Sequence, residues 1–124
     1  MRTLLCLFLM LGQPSFAQVN TPDGQLKTFA NCAGRLTAQL EYQWLHQIAG
    51  SDQTQRQRAE IVMILETMIS EDRGREVLGW RTDARAAQRG LLERASFATD
   101  PADAAWAAQQ AESYLLECTG FLLS

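Results

Sequence analysis

The chain has little of what metalloenzymes, nucleophilic hydrolases and nucleic-acid-binding proteins require. His46 is the only histidine, so a zinc site built from several histidines is excluded. No Gly-x-Ser-x-Gly segment presents a serine nucleophile, and no Cys-x-x-Cys-His segment could attach haem covalently. Lys27 is the only lysine, and 14 acidic residues outnumber 11 basic ones, which argues against a general nucleic-acid binder. The sequence therefore predicts no catalytic residue, no metal site and no cofactor.

Long hydrophobic runs are also missing, except for a short one at the N-terminus. Arg2 precedes an apolar run from Leu4 to Gly12, and Ser15-Phe16-Ala17 places small residues where a signal peptidase cleaves. The run is roughly half of the ~20 residues that a membrane-spanning helix needs. We therefore predict a signal peptide over residues 1–17, followed by one domain over residues 18–124 that is not embedded in a membrane.

Cysteine is scarce, and the predicted cleavage changes its count. Cys6 lies in the signal, where bulky Leu5 before it disfavours a lipoprotein, so the mature chain keeps Cys32 and Cys118. We predict that these two are bridged, because disulfides persist in exported proteins.

Subtracting Arg2 from the 11 basic residues leaves 10 against 14 acidic ones, a mature net charge of −4. Abundant alanine and arginine indicate a bacterial sequence and favour the periplasm over other secreted destinations.

No strand pattern appears, whereas apolar residues recur every three or four positions in four segments, which predicts an all-α fold. The first helix begins at Thr21-Pro22 and ends at Gly50; the second begins at Thr54 and ends near Ser70. The segment 71–74 forms the next turn, a third helix follows it, and Asp100-Pro101 begins a fourth. The predicted buried stripes are Leu26, Phe29, Ala33, Leu36, Leu40, Trp44 and Ile48; Ile61, Val62, Leu65, Met68 and Ile69; Val77, Trp80, Ala84, Ala87, Leu91 and Ala95; and Ala104, Ala108, Ala111, Leu115, Cys118 and Leu122.

Short connections favour an up-down-up-down four-helix bundle, with the disulfide joining the first helix to the fourth. In an antiparallel helix pair the numbers of facing residues have a constant sum, and the Cys32–Cys118 bridge sets that sum to 150. Three further facing pairs follow: Phe29 with Phe121, Leu36 with Tyr114, and Trp44 with Trp106. All three bring large side chains together, which supports the predicted register.

Two groups of residues are candidates for binding. Arg81, Arg85 and Arg89 fall four residues apart and form a line along the third helix, which could contact an anionic ligand or partner. The alternative, which we favour, is a solvated face whose arginines pair with acids such as Glu93. Trp44, Trp106 and Tyr114 could line a ligand cavity, although core packing is the favoured interpretation of the tryptophans.

Metal and haem sites fit the pattern poorly. Glu41 and His46 lie five residues apart rather than at the Glu-x-x-His spacing of di-iron bundles. A non-covalent haem would need His46 with Met63 or Met68, which the helix lengths place at different levels.

The leading hypothesis is a small exported, non-enzymatic protein that acts through contact with an envelope protein. The alternative is a carrier of a small apolar ligand or haem in the bundle core. A hydrolase whose carboxylates meet only in space stays open but has no positive support.

Overall fold

The computed structural model describes residues 21–122 of the chain, and the predicted signal of residues 1–17 lies outside the described residues. Within that range the chain forms four α-helices and no strand. The helices are α1 (Pro22–His46), α2 (Ser51–Met68), α3 (Gly74–Phe97) and α4 (Pro101–Gly120), and a 3-10 turn (Glu71–Arg73) leads from α2 into α3. None of the helices formed by residues 21–122 combines the length and the apolar character needed to cross a bilayer.

The starts of α1 and α4 are confirmed, because both depend on local capping. The Thr21 side chain accepts a hydrogen bond from the Gly24 N–H at 3.0 Å, and proline follows it at the first helical position. Asp100 accepts from the Ala102 N–H at 3.0 Å, again with proline next. Each cap satisfies one N–H that has no partner within the helix.

The predicted boundary between α1 and α2 is wrong by three or four residues on each side. α1 ends at His46 rather than Gly50, because Gln47 takes a left-handed conformation with φ 54°. Gly50 has φ 100°, a conformation that favours glycine, and it completes the reversal so that α2 begins at Ser51. Thr54 does not cap the helix, because its hydroxyl donates to the Gly50 carbonyl at 3.2 Å from within the first turn.

The helices form an up-down-up-down four-helix bundle, as their side-chain contacts demonstrate. Contacts between α1 and α3 run in the same direction along both helices, so the two are parallel: Asp23 with Arg73, Arg35 with Gln88, and Tyr42 with Ser96. Contacts between α1 and α4 run in opposite directions: Phe29 with Phe121, Cys32 with Cys118, and Arg35 with Tyr114. Of the predicted facing pairs, Phe29 and Phe121 are confirmed, with ring centroids 5.2 Å apart.

The disulfide joins α1 to α4 as predicted. The Cα atoms of Cys32 and Cys118 are 5.4 Å apart, and each residue is 2 % exposed. A core of buried residues from α1, α2 and α3 surrounds the bridge: Leu26, Ala30, Ala33, Leu36, Ile61, Leu65 and Val77. We call this half of the bundle, with the start of α1 and the end of α4, the disulfide end.

Burial is less extensive in the other half of the molecule, where small side chains such as Ala38 and Ala107 are buried but several large ones are exposed. The predicted stripe on α1 is buried as far as Leu40, but beyond it Trp44 is 56 % and Ile48 46 % exposed. Two stripe positions on the other helices are also wrong, since Ala87 and Ala108 are exposed while the adjacent Gln88 and Ala107 are fully buried. We call this half, formed by the end of α1, the end of α3 and the start of α4, the open end.

A glycine lets α1 and α3 approach each other closely. A Cβ atom on Gly34 would lie 3.0 Å from the backbone nitrogen of Arg85 and closer still to the carbonyl oxygen of Arg81. No side chain fits there, because the obstacle is backbone that cannot rotate away. This approach makes α3 the main neighbour of α1 along the bundle and leaves α4 to meet α1 around the disulfide.

A candidate binding cleft at the open end

A cavity lies between the helices at the open end. It has a volume of about 920 Å³ and is lined by residues 38–46 of α1, residues 89–97 of α3 and the segment 98–103 that begins α4. We call it the open-end cleft. Binding sites for small molecules and short segments have volumes of about 300 to 1,000 Å³, so this cleft is large enough to hold a ligand.

Aromatic side chains form one wall of the cleft. The rings of Tyr42 and His46, one turn apart on α1, lie 4.3 Å from each other between centroids. The His46 ring is 6.1 Å from that of Phe97 at the end of α3. The hydroxyl groups of Tyr42 and Ser96 share a hydrogen bond that ties α1 to α3 beside the cleft. Tyr42 is therefore held in place by the fold.

The apolar side chains around the cleft are exposed to solvent rather than enclosed. Leu45 is 72 % and Phe97 67 % exposed, although both are large hydrophobic residues. Gly90 also lines the cleft, and a Cβ atom added to it would meet nothing within 4 Å. Packing therefore does not require a glycine here, even though glycine within a helix destabilises it by about 1 kcal/mol relative to alanine.

The charged groups of the cleft are arranged in pairs. Glu41 receives two hydrogen bonds from Arg85, one of them from Nε at 3.0 Å. Arg94 donates to Asp103 across the α3–α4 junction, and its guanidinium lies 5.0 Å from the centre of the Trp106 ring. These residues are partly exposed, so each pair contributes little to stability and serves mainly to position its side chains.

The predicted arginine line is divided by the fold. Arg85 binds Glu41, and Arg89 donates to Glu93 at 3.2 Å, so two of the three arginines already have carboxylate partners. Arg81 is half-buried next to Gly34, and only Arg89 of the three lines the open-end cleft. The fold therefore does not bring the three guanidinium groups together at one cavity.

The predicted aromatic wall is also divided. Trp44 and Trp106 are 56 % and 48 % exposed, and among residues 21–122 no ring contact joins them. Neither lines the open-end cleft. Tyr114 faces Arg35 rather than Leu36, one position from the predicted register, and lines a pocket of about 150 Å³ beside the disulfide.

A buried polar cluster lies next to that small pocket. The Arg35 guanidinium stacks over the Tyr114 ring at 3.6 Å and donates to Gln88 Oε1 at 3.0 Å. Gln88 is fully buried, and its Nε2 donates to the Ala111 carbonyl at 3.1 Å. Burial lowers the pKa of Arg35, since it removes water from the charged form. The cluster joins α1, α3 and α4 in the middle of the bundle, and both polar atoms of the buried Gln88 side chain are hydrogen-bonded, which indicates a structural role.

His46 and the methionines lie apart. His46 contacts the cleft aromatics, Met63 is 62 % exposed on α2, and Met68 packs against the core at the disulfide end. Within residues 21–122, no three His, Cys, Asp or Glu side chains are grouped so that they could hold a metal ion.

Sequence reasoning missed the cleft because its residues lie outside the apolar stripes. Leu45 and Phe97 are the one available signal, since both are large hydrophobic residues next to, rather than on, the predicted stripes. No family model, curated protein or solved structure matches the chain.

Proposed function

We propose that this chain is a small exported binding protein without enzymatic activity, and that it acts by holding a segment of an envelope protein in the open-end cleft. One observation carries the proposal: a cavity of about 920 Å³ whose large apolar residues, Leu45 and Phe97, face solvent. Burying such side chains is favourable by about 1.5 to 3 kcal/mol each. Exposed apolar surface around a groove is typical of sites where another protein binds.

The division of the molecule supports this function. The disulfide and the core hold the helices together at one end, so the open end can keep apolar residues exposed without loss of the fold. The Tyr42–Ser96 hydrogen bond and the Arg94–Asp103 pair fix the walls of the cleft. A site that is formed before its partner arrives loses less conformational entropy on binding.

Export is the second part of the proposal. The disulfide and the N-terminal pattern of residues 1–17 both favour a destination outside the cytoplasm, with the periplasm preferred. N-terminal sequencing of the protein purified from its native envelope fraction tests this proposal. We expect the mature chain to begin at Gln18, and a product that keeps Met1 would contradict export by cleavage.

A carrier of a small apolar ligand is the second candidate, and the volume of the cleft favours it. Mass spectrometry of the protein purified under native conditions tests this candidate. A stoichiometric lipid or other small apolar compound would support the carrier and argue against protein contact.

Site-specific crosslinking tests protein contact directly. A photoreactive amino acid replaces Phe97 in the cleft or, as a control, Leu116, which is 62 % exposed on α4 and does not line the cleft. We expect the variant at Phe97 to form one discrete crosslinked product in the native envelope and the variant at Leu116 to form none. Equal crosslinking at both positions would overturn the assignment of the cleft as the contact site.

A further inference from the structure

We propose that the occupant of the open-end cleft is a short amphipathic helix of the partner whose polar edge carries lysine or arginine. This inference rests on the proposed function and specifies the chemistry of the partner. It follows from the shape of the cleft, the exposure of its apolar residues and the distribution of charge along α4.

The size of the cleft suits a helix. The lining residues of α1 run from Ala38 to His46, which corresponds to about 12 Å along the helix axis at ~1.5 Å per residue. A helical segment of that length and ~10 Å diameter occupies roughly 900 Å³. The cleft volume of about 920 Å³ is therefore close to that of two helical turns.

The secondary structure of the protein also points to a helix. Residues 21–122 contain no strand, so this part of the chain offers a partner no sheet edge for backbone pairing. A peptide must then be recognised through side chains in a groove between helices, which is how amphipathic helices bind.

The exposure of Leu45 and Phe97 disfavours a small molecule. Sites for small ligands enclose about 70 to 90 % of the ligand surface and bury their own apolar residues around it. Here the two largest apolar residues of the cleft remain 72 % and 67 % exposed. A partner that brings an apolar face of its own covers them better.

The charge of the α4 wall selects a cationic partner. No lysine, arginine or histidine occurs from Ala95 to the end of the chain, whereas two aspartates line the cleft at the start of α4: Asp103, which is paired with Arg94, and Asp100. The arginines of the α3 wall, Arg89 and Arg94, are already bound to carboxylates. The Asp100 carboxylate accepts a backbone hydrogen bond and has no cationic partner among residues 21–122.

The same charges disfavour a second copy of the chain as the occupant. Two identical clefts that faced each other would bring Asp100 of one copy, which has no cationic partner in the described part of the chain, towards that of the other, and like charges at close range repel. The mature chain as a whole is also acidic, so its copies repel each other over longer distances.

Two designed peptides test the inference. Both are 18-residue amphipathic helices with the same leucine face; one carries lysine and the other glutamate on the polar face. Isothermal titration calorimetry with the oxidised mature protein measures their affinities. We expect the lysine peptide to bind about tenfold more tightly at low salt, and the difference to shrink as salt screens the charges.

Matched variants locate the binding. We expect Phe97→Ser to weaken binding of the lysine peptide about tenfold and the control Leu116→Ser to leave it unchanged, since both side chains are about two-thirds exposed and neither supports the core. Asp100→Asn removes a charge and keeps a residue that caps helices well, so we expect about a threefold loss. Glu112→Gln, on the exposed surface of α4 outside the cleft, is its control.

The outcomes separate this inference from the proposed function. Equal binding of both peptides, with sensitivity to Phe97→Ser, would overturn the cationic partner and leave the cleft as a protein-binding site. Binding that Leu116→Ser weakens as much as Phe97→Ser would overturn both. If neither peptide binds and sedimentation shows a dimer that Phe97→Ser dissociates, the occupant is a second copy and the inference is wrong.

Discussion

At the scale of single residues, Gly34 determines how close α1 and α3 come. Its missing side chain matters for space and not for a special backbone conformation, since it lies in the middle of a regular helix. Gly79 and Gly90 on α3 differ, because added Cβ atoms there meet nothing within 4 Å. Substitution by alanine should therefore lower the stability of the fold at Gly34 and raise it at Gly79 and Gly90.

We expect Gly34→Ala to destabilise the fold by about 3 kcal/mol, because the new methyl group must push α1 away from the α3 backbone. Gly79→Ala is the matched control and should stabilise the protein by about 1 kcal/mol, as alanine is the better helix former. Urea denaturation followed by circular dichroism measures both. A Gly34→Ala protein as stable as the wild type would show that α1 and α3 are not in close contact.

Gln88 is the fully buried polar residue that joins three helices. We expect Gln88→Leu to lower the free energy of unfolding by about 1 to 3 kcal/mol, because the Ala111 carbonyl and an Arg35 N–H lose their partner. Gln109→Leu, at an exposed position on α4, should change it by less than about 0.5 kcal/mol. Equal stabilities of the two variants would exclude a structural role for the cluster.

The ion pair of Asp23 with Arg73 makes the stability of the fold depend on pH in the acid range. A hydrogen bond from Arg73, at 2.5 Å, lowers the pKa of Asp23 below its ordinary value of 3.8. A carboxyl whose pKa falls on folding stabilises the fold above its unfolded pKa and loses that contribution as pH falls through the folded one. We expect Asp23→Asn to lower the melting temperature slightly at pH 7, and the difference from wild type to shrink below about pH 4 and to vanish once the pH is below the lowered pKa of Asp23. Asp83→Asn, at an exposed position of α3, is the control for the loss of a surface carboxylate.

At the scale of helices, the disulfide is the main attachment of α4 to α1. It closes a loop between residues separated by 86 positions, which restricts the unfolded chain and stabilises the fold by about 4 to 5 kcal/mol. We expect the double variant Cys32→Ser, Cys118→Ser to melt roughly 15 to 30 °C lower than the oxidised protein. Wild-type protein melted with a reductant is the control and should match the variant, whereas an unchanged melting temperature would contradict this role.

The arginine line on α3 gives a prediction at the same scale. We expect the triple change of Arg81, Arg85 and Arg89 to glutamine to cost no more than about 2 kcal/mol, because the pairs with Glu41 and Glu93 are partly exposed. Binding of the lysine peptide should be equal or tighter, since positive charge next to the cleft is removed. Loss of that binding would instead assign the contact to these arginines.

At the scale of the whole molecule, the bundle has two unlike ends. The disulfide end contains the bridge and the buried core, and the open end has the cleft, with Leu45 and Phe97 exposed. Under the proposed function, stability and recognition depend on different ends of the bundle. Changes at the open end should therefore alter binding with little effect on the fold.

The sequence by itself determined the features that depend on neighbouring residues. The helix starts at Thr21 and Asp100 follow from side chains that bond to N–H groups two or three residues away. The four-helix topology follows from short connections, and the Cys32–Cys118 pair follows from the two cysteines that remain outside the predicted signal. The register that the pair sets holds near the bridge, where Phe29 meets Phe121.

Only the tertiary structure decided the features that depend on how the helices diverge. The predicted register fails at Trp44 and Trp106, because helices held together at one end need not remain in contact at the other. The burial of Gln88 had a signal in the sequence, since Gln88 lies one helical turn after Ala84, a member of the predicted stripe. Its hydrogen-bond partners, however, come from two other helices. The only signal of the cleft in the sequence is the position of Leu45 and Phe97 next to the apolar stripes. The walls of the cleft are residues of α1, α3 and α4, which are far apart in the sequence. The close approach of α1 and α3 at Gly34 and the bridge at Cys32 set the positions of these three helices.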